Sequence, residues 1–283
     1  MNRCLQSGAF LRGAVIGWAA TAVRLAVLAG AVCFLPGVAA PALAQGANRN
    51  QGGGELRILC SNGIKGAMET LVAQYQKSSG VKISIEYNAT AVLKRRMEAD
   101  EAFDVAVLAN PTVDQLIESG KVAKGTHADI ATAPLAAGIR RGGAKADIGS
   151  AEKMKARLLA AKSITFAKEG AATAAFVAMF QKLGIEAALE PKLVRQTVTG
   201  RPAESVAEGE NEVVLAPVSE IRPVAGLDVL GLIPQEFQKP IVMAAGVSAK
   251  AKDAAAAKAF VSYVTGKDAV AALRATGMEP VGK

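Results

Sequence analysis

The chain has 283 residues, 51% of them hydrophobic and only 4% aromatic, with a formal net charge of +8. That length suffices for one large core or two lobes, while the modest charge and the scarcity of base-stacking aromatics exclude a nucleic-acid binder. No run beyond the first 44 residues has the length and apolarity of a membrane span.

Arg3, Arg12 and Arg24 give a positive start, Leu25 to Val38 is apolar, and Ala42-Leu43-Ala44 reads as a small-x-small cleavage site before Gln45. Residues 1–44 are therefore expected to be an export signal cleaved after Ala44, placing the protein in the periplasm. The other reading of this run is an N-terminal membrane anchor. Cys33 follows Val32, which makes a poor lipoprotein signal. Removing three arginines leaves 30 basic against 25 acidic residues, a balance of +5 that suits a small anionic ligand. Cys4 and Cys33 fall in the signal, so Cys60 stands alone and neither an intramolecular disulfide nor a cysteine metal cluster is expected. Cys60 ends an apolar strand and reads as a small buried hydrophobe, with a reactive thiol as the other reading. His127 is the one histidine, in a stretch rich in Gly, Thr and Ala, and reads as an ordinary loop residue. No metal, cofactor or Ser-His-Asp triad is expected.

Gln45 to Gly54 reads as a flexible leader. Leu56 to Cys60 then predicts a strand, Ser61-Asn62-Gly63 a turn, and Ile64, Ala67, Met68, Leu71, Val72 and Tyr75 one face of a helix stopped by Gly80. The unit recurs. Val81 to Tyr87 alternates as a half-buried strand, Asn88-Ala89-Thr90 is a loop, and Ala91 to Ala99 a helix with Val92, Leu93 and Met97 inward. Thr90 reads as the cap of that helix. Phe103 to Leu108 is a third strand, Ala109 to Thr112 a third loop, and Val113, Leu116 and Ile117 open a helix closed by Gly120. Three such units predict a parallel sheet with the loops, and any ligand, at the carboxyl ends of its strands. Such a loop feeding a helix also leaves backbone N–H groups free for an anion.

From Pro134 the texture changes. Leu135 to Arg140 reads as a strand, Ala151 to Ala161 as a capped, solvated helix, Ser163 to Phe166 as a strand, Ala167 to Thr173 as a loop and Ala174 to Leu183 as a helix stopped by Gly184. Strands follow at Glu212 to Pro217, Val229 to Leu232 and Pro240 to Val247, with Val218 to Ile221 as a turn. Helices at Ala251 to Val264 and Asp268 to Ala275 close the chain.

The ordered set LCSNGIKGAMETL, YNATAVLKRRMEADEAFDVAVLAN, FAKEGAATAAFVAMFQKLG, APVSEIRPVAGLDVLGLIP and RATGMEP resembles type II periplasmic solute-binding proteins, and among them a divergent branch of the molybdate-binding proteins of ABC importers. The resemblance implies an α/β fold of two lobes, each a mostly parallel sheet flanked by helices, closing on a ligand. Lobe one would comprise 55–134 and 238–283, and lobe two 135–237. It implies a small anion, a molybdate-like oxyanion or a carboxylate, handed by a monomer to an ABC permease in the inner membrane. By position, the family's first-loop serine falls on Gly63, after Ser61 and Asn62. Its second-loop serine falls on Thr90, its third-loop alanine on Ala109, and its fourth-loop residue on Gly170, followed by Thr173. Its ligand-bonding tyrosine falls on Pro217, which can donate nothing, and Gly63 lacks a hydroxyl. Losing two donors, each worth on the order of 1–3 kcal/mol when left unmade, predicts a poor molybdate or tungstate site.

Ser219 and Glu220 are the branch's signature pair, expected either to contact the ligand or to pin the hinge. For a carboxylate ligand, Lys65 and Arg95 are candidate clamps. A periplasmic aconitate isomerase is similar to the same family, so turnover is an alternative, with Glu220 as the base and Lys65, Arg95 or Lys168 holding carboxylates. An exported sensor is a third option.

Overall fold

The computed structural model describes residues 54–198 and 200–282. The expected export signal and all of the leader except Gly54 lie outside the described residues.

Strand β1 (Leu56–Ser61) passes through one 3-10 turn into α1 (Lys65–Ser79), β2 (Ile83–Asn88) runs into α2 (Thr90–Glu98), and β3 (Val105–Ala109) into α3 (Asn110–Glu118). In α1, Ala67, Met68, Leu71, Val72 and Tyr75 are buried, as the helical period requires. Gly80 ends it at φ 72°, its N–H donating to the Gln76 carbonyl, a left-handed position that other residues enter at a cost. Two boundaries differ from expectation. Ala89, not Thr90, takes the N-cap position of α2, and Thr90 is its first helical residue. The third loop is absorbed into α3, because Pro111 is preorganised for a first helical turn.

The chain continues through β4 (Ala128–Ala133), β5 (Leu135–Arg140), α4 (Ala151–Ala160), β6 (Ile164–Ala167), α5 (Thr173–Lys182), α6 (Glu186–Leu189), β7 (Leu193–Gln196) and α7 (Arg201–Ala207). It then forms β8 (Val213–Pro217), the single-turn helix α8 (Val218–Ile221), β9 (Leu227–Leu232), β10 (Ile241–Val247), α9 (Ala254–Val264), α10 (Val270–Ala275) and β11 (Glu279–Pro280).

Two sheets result, ordered β11-β4-β10-β3-β1-β2 and β7-β6-β8-β5-β9. The three predicted units form the parallel block β2-β1-β3, and β6 and β8 form a second parallel block, β7-β6-β8, with the unpredicted strand β7. Antiparallel strands extend both blocks, so the sheets are mixed. The chain passes from the first sheet to the second at Pro134, between β4 and β5, and returns between β9 and β10.

Each sheet is covered on both faces. Ile58 and Cys60 point into a core shared with α1, α9 and α10, while Leu59 points into another with Leu93, Met97 and Leu116. The second sheet packs Phe166, Phe176 and Phe180 on one side and Val206, Val214 and Ile221 on the other. Cys60 is fully buried, and burial pushes its thiol well above the usual range. His127 lies in a loop but is no bystander. Its Nδ1 is 2.6 Å from Asp114 Oδ1 and its Nε2 is 3.0 Å from Asp129 Oδ1. Burial lowers its pKa, but hydrogen bonds to Asp129 and Asp114 outweigh burial and raise it overall. Among the described residues no cluster of His, Cys, Asp and Glu could hold a metal ion, and no helix is long and apolar enough to cross a membrane.

Candidate functional site

A cavity of about 230 Å³ lies between the carboxyl ends of strands from both sheets. The first sheet contributes Ser61, Asn62 and Gly63 at and after the end of β1, Ala89, Thr90, Val92 and Arg95 around the start of α2, and Met243 from β10. The second contributes Ala167, Glu169 and Gly170 at and after the end of β6, Gln196 and Thr197 at the end of β7, and Pro217 and Glu220 at and after the end of β8. The lining is mostly apolar, with a few polar groups converging on it, as small-molecule sites are.

Ser61 and Thr90 sit side by side and are nearly fully buried. Thr90 Oγ1 donates to Ser61 Oγ at 2.9 Å, and the Gly63 N–H donates to the same oxygen at 3.4 Å. Two hydroxyls sharing one hydrogen bond leave one O–H to donate elsewhere. The Gly63 N–H, expected to face an anion, is instead engaged within its own turn. Opening α2 at Thr90 leaves the N–H groups of its first turn without intrahelical partners beside the cavity. Asn62 Oδ1 is buried with no hydrogen-bond partner among the described residues. A half-turn of that amide exchanges acceptor for donor at the same place.

Gly170 lines the cavity, but its N–H donates to Thr173 Oγ1 at 3.0 Å, and the Thr173 hydroxyl donates to the Ala167 carbonyl at 2.7 Å. Thr173 therefore ties the fourth loop and does not line the cavity. Ala109 is the last residue of β3 and lines a neighbouring groove with Asn110 and Pro111. Ser219 is buried behind the wall, and its hydroxyl donates to the Gly63 carbonyl at 2.6 Å. That bond joins the loop after β8 to the loop after β1 across the two sheets, so Ser219 positions Gly63.

Arg95 is the one cation in the lining among the described residues, and its Nη2 lies 3.0 Å from Glu169 Oε2. Both side chains are half exposed or more, so the pair is a weak tie across the cavity mouth, within about 0–1 kcal/mol. Lys65 does not line the cavity. It lies 3.8 Å from Glu69 and 5.7 Å from the Tyr87 ring centroid. Lys168 also lies outside the lining.

Glu220 faces the cavity from α8. Its carboxyl has no hydrogen-bond or ion-pair partner among the described residues, and burial pushes it up to about 7. A Cβ placed on Gly63 would stand 3.7 Å from Glu220 Oε1. The glycine keeps the space between the first loop and this carboxyl open.

The residues the sequence reading missed come mainly from one segment. Gln196 ends β7 and Thr197 follows it, and Gly200 and Pro202 surround the start of α7. Leu193-Val194-Arg195-Gln196 followed by Thr197, Gly200 and Pro202 is another strand-turn-helix signature, and the helix-start proline was its signal. A strand of only four residues with a charged member carried too little alternation to stand out.

The chain matches the model of a family described as bacterial extracellular solute-binding protein over residues 56–279. It is 28% identical over 232 residues to an aconitate isomerase from Pseudomonas sp, covering 80% of this chain and 88% of that protein. It is 25% identical over 226 residues to the molybdate-binding protein ModA of Azotobacter vinelandii, covering 79% and 89%. The solved structure of the periplasmic molybdate-binding protein from Azotobacter vinelandii superposes with a TM-score of 0.62 at 19% identity, over 79% of this chain and 98% of that one, which shows a shared two-lobed fold. The chain belongs to the bacterial extracellular solute-binding proteins, with the type II fold of molybdate-binding periplasmic proteins.

Proposed function

We propose that this protein is a periplasmic substrate-binding component of an ABC importer, capturing a small carboxylate anion between two lobes. The supporting observation is the cavity itself, where a spare O–H from the Ser61–Thr90 pair, helix-start N–H groups and Arg95 converge from the first sheet on a space that the second sheet closes with Gly170, Gln196 and Thr197. Lobe one, 55–134 with 238–283, would close on lobe two, 135–237, and the closed form would dock on the permease as a monomer. Two features favour a carboxylate over a tetrahedral oxyanion. Gly63 and Pro217 place no donor side chain where a compact, dry oxyanion needs one. The cavity of about 230 Å³ is also many times the roughly 10–15 Å³ that holds one water, roomy for a compact ion.

The test is thermal unfolding against molybdate, tungstate, sulfate, phosphate, citrate and both aconitates. A ligand at a hundred times its dissociation constant adds about 2.7 kcal/mol, and at about 2–4 °C per kcal/mol for a chain of this size the midpoint rises by roughly 5–10 °C. The expected responders are the tricarboxylates. A shift confined to molybdate or tungstate would overturn the carboxylate assignment.

Glu220 supports a second reading, an isomerase on the same scaffold. A carboxyl pushed up to about 7 suits proton transfer at neutral pH. It would remove a proton from the methylene carbon of cis-aconitate and return it at the far end of the allylic system, shifting the double bond without redox change. The aconitate isomerase relative supports this reading. Against it, of Lys65, Arg95 and Lys168 only Arg95 lines the cavity, and Glu169 already pairs with it. Incubation with cis-aconitate, followed by NMR, separates the two. The binding reading expects no trans-aconitate.

A further inference from the structure

A carboxyl group without a partner is out of place in a cavity that collects anions. Ionised, it would repel the ligand across a space kept open by Gly63. We infer that Glu220 enters the complex as a neutral acid, its O–H donating a hydrogen bond to an anionic oxygen of the ligand, so that each captured anion brings one proton into the site. This rests on the anion-binding reading above. It also sharpens the ligand class: the ligand presents a fully ionised oxygen to Glu220, and not a hydroxyl or ammonium group.

Among the described residues no other charge compensates Glu220. Within the cavity the charged groups are Arg95 and Glu169, already paired with each other. Strand β8, which leads into α8, carries no charged residue. On β5 and β9, Arg140 and Asp228 lie near the far end of the strands, away from the Leu135–Pro217 end. On α1, Lys65 lies against Glu69. Arg222, just after α8, reaches the Arg274 carbonyl at 3.5 Å, and Arg274 lies 3.7 Å from Glu279. Burial pushes the Glu220 carboxyl up, and it lines the cavity with no partner among the described residues, so a proton shared with a bound anion satisfies it.

Only the protonated fraction of the protein is competent to bind in this scheme, and apparent affinity follows that fraction. With a carboxyl at about 7, binding at pH 8 is expected to be about tenfold weaker than at pH 6, approaching a tenfold fall per pH unit beyond. The experiment uses titration calorimetry near pH 7.5 in two buffers of different ionisation enthalpy. The probes are sulfate and molybdate, which stay ionised across this range, and trans-aconitate, whose carboxyls are essentially ionised near pH 7.5. The expected result is uptake of most of a proton per bound probe in the wild type. In Glu220→Gln, uptake vanishes while binding persists and becomes independent of pH, because the amide donates without titrating. Binding without uptake, or uptake unchanged in Glu220→Gln because another group such as His127 takes the proton, overturns the inference and leaves the anion reading standing. Failure of every probe to bind overturns the anion reading, and this inference with it.

Discussion

Glu220→Gln is expected to stabilise the unliganded protein at pH 8 by about 3 kcal/mol, since each unit of pKa displacement is worth about 1.4 kcal/mol. The folded state holds this carboxyl at about 7, against an ordinary value of 4.5. A raised carboxyl means that the unfolded chain releases its proton first. The contribution of the neutral side chain to stability is therefore complete below about pH 4.5 and is lost as pH rises through about 7. Above that, the native state holds an ionised group with no partner. The substituted glutamine has the same shape and never ionises, so the two proteins should be close in stability at pH 5 and diverge towards pH 8. His127 shifts in the same direction, its contribution fading as pH rises through its raised pKa. The difference between wild type and variant at each pH cancels that background. Urea unfolding at several pH values measures it, and a variant no more stable than the wild type at pH 8 would show that the carboxyl has a partner or access to water.

The second large effect concerns a residue that touches no ligand. Gly277→Ala is expected to destabilise the protein by on the order of 3 kcal/mol, combining backbone strain with overpacking. Gly277 follows α10 with φ +83°, and a Cβ there would stand 2.0 Å from Val218 Cγ1 and 3.2 Å from Arg222 Cζ. Val218 opens α8, and the next two residues are Ser219 and Glu220. Relieving the clash means displacing α8, which stretches the bond from Ser219 to Gly63 and moves Glu220 in the cavity. Gly80→Ala is the control. Its φ is +72° with nothing within 4 Å, so it suffers strain alone, about 1 kcal/mol. Equal losses for the two variants would mean that α8 yields freely and does not hold the site. A larger loss in Gly277→Ala, with weakened binding of any responding anion, would tie the hinge-side packing to the cavity.

Local features of this chain were legible before any fold was known. The helical period from Ile64 to Tyr75, the stops at Gly80, Gly120 and Gly184, and the small polar residues between strand and helix all act over short stretches of chain. Backbone dihedrals and burial of one face decide them wherever the segment ends up. They led to Ser61, Asn62, Gly63 and Thr90, the family resemblance added Gly170, and the structure gathers these around one cavity. Strand β4 escaped notice because Ala128–Ala133 mixes Ala, Thr and Asp, and it is held by pairing with β10 and β11 from the far end of the chain. The segment around β7 and α7 was too short to show a period. The roles of side chains within the cavity were decided later still. Thr90 bonds Ser61 at a separation of 29 residues, Arg95 meets Glu169 across 74, and Ser219 reaches Gly63 across 156. No local preference encodes such meetings, because they exist only once two sheets have buried their faces and brought their strand ends together. Glu220 is the clearest case. The family resemblance singled it out, but only the packing of α8 between the sheets half-buries its carboxyl at the cavity wall with no partner among the described residues.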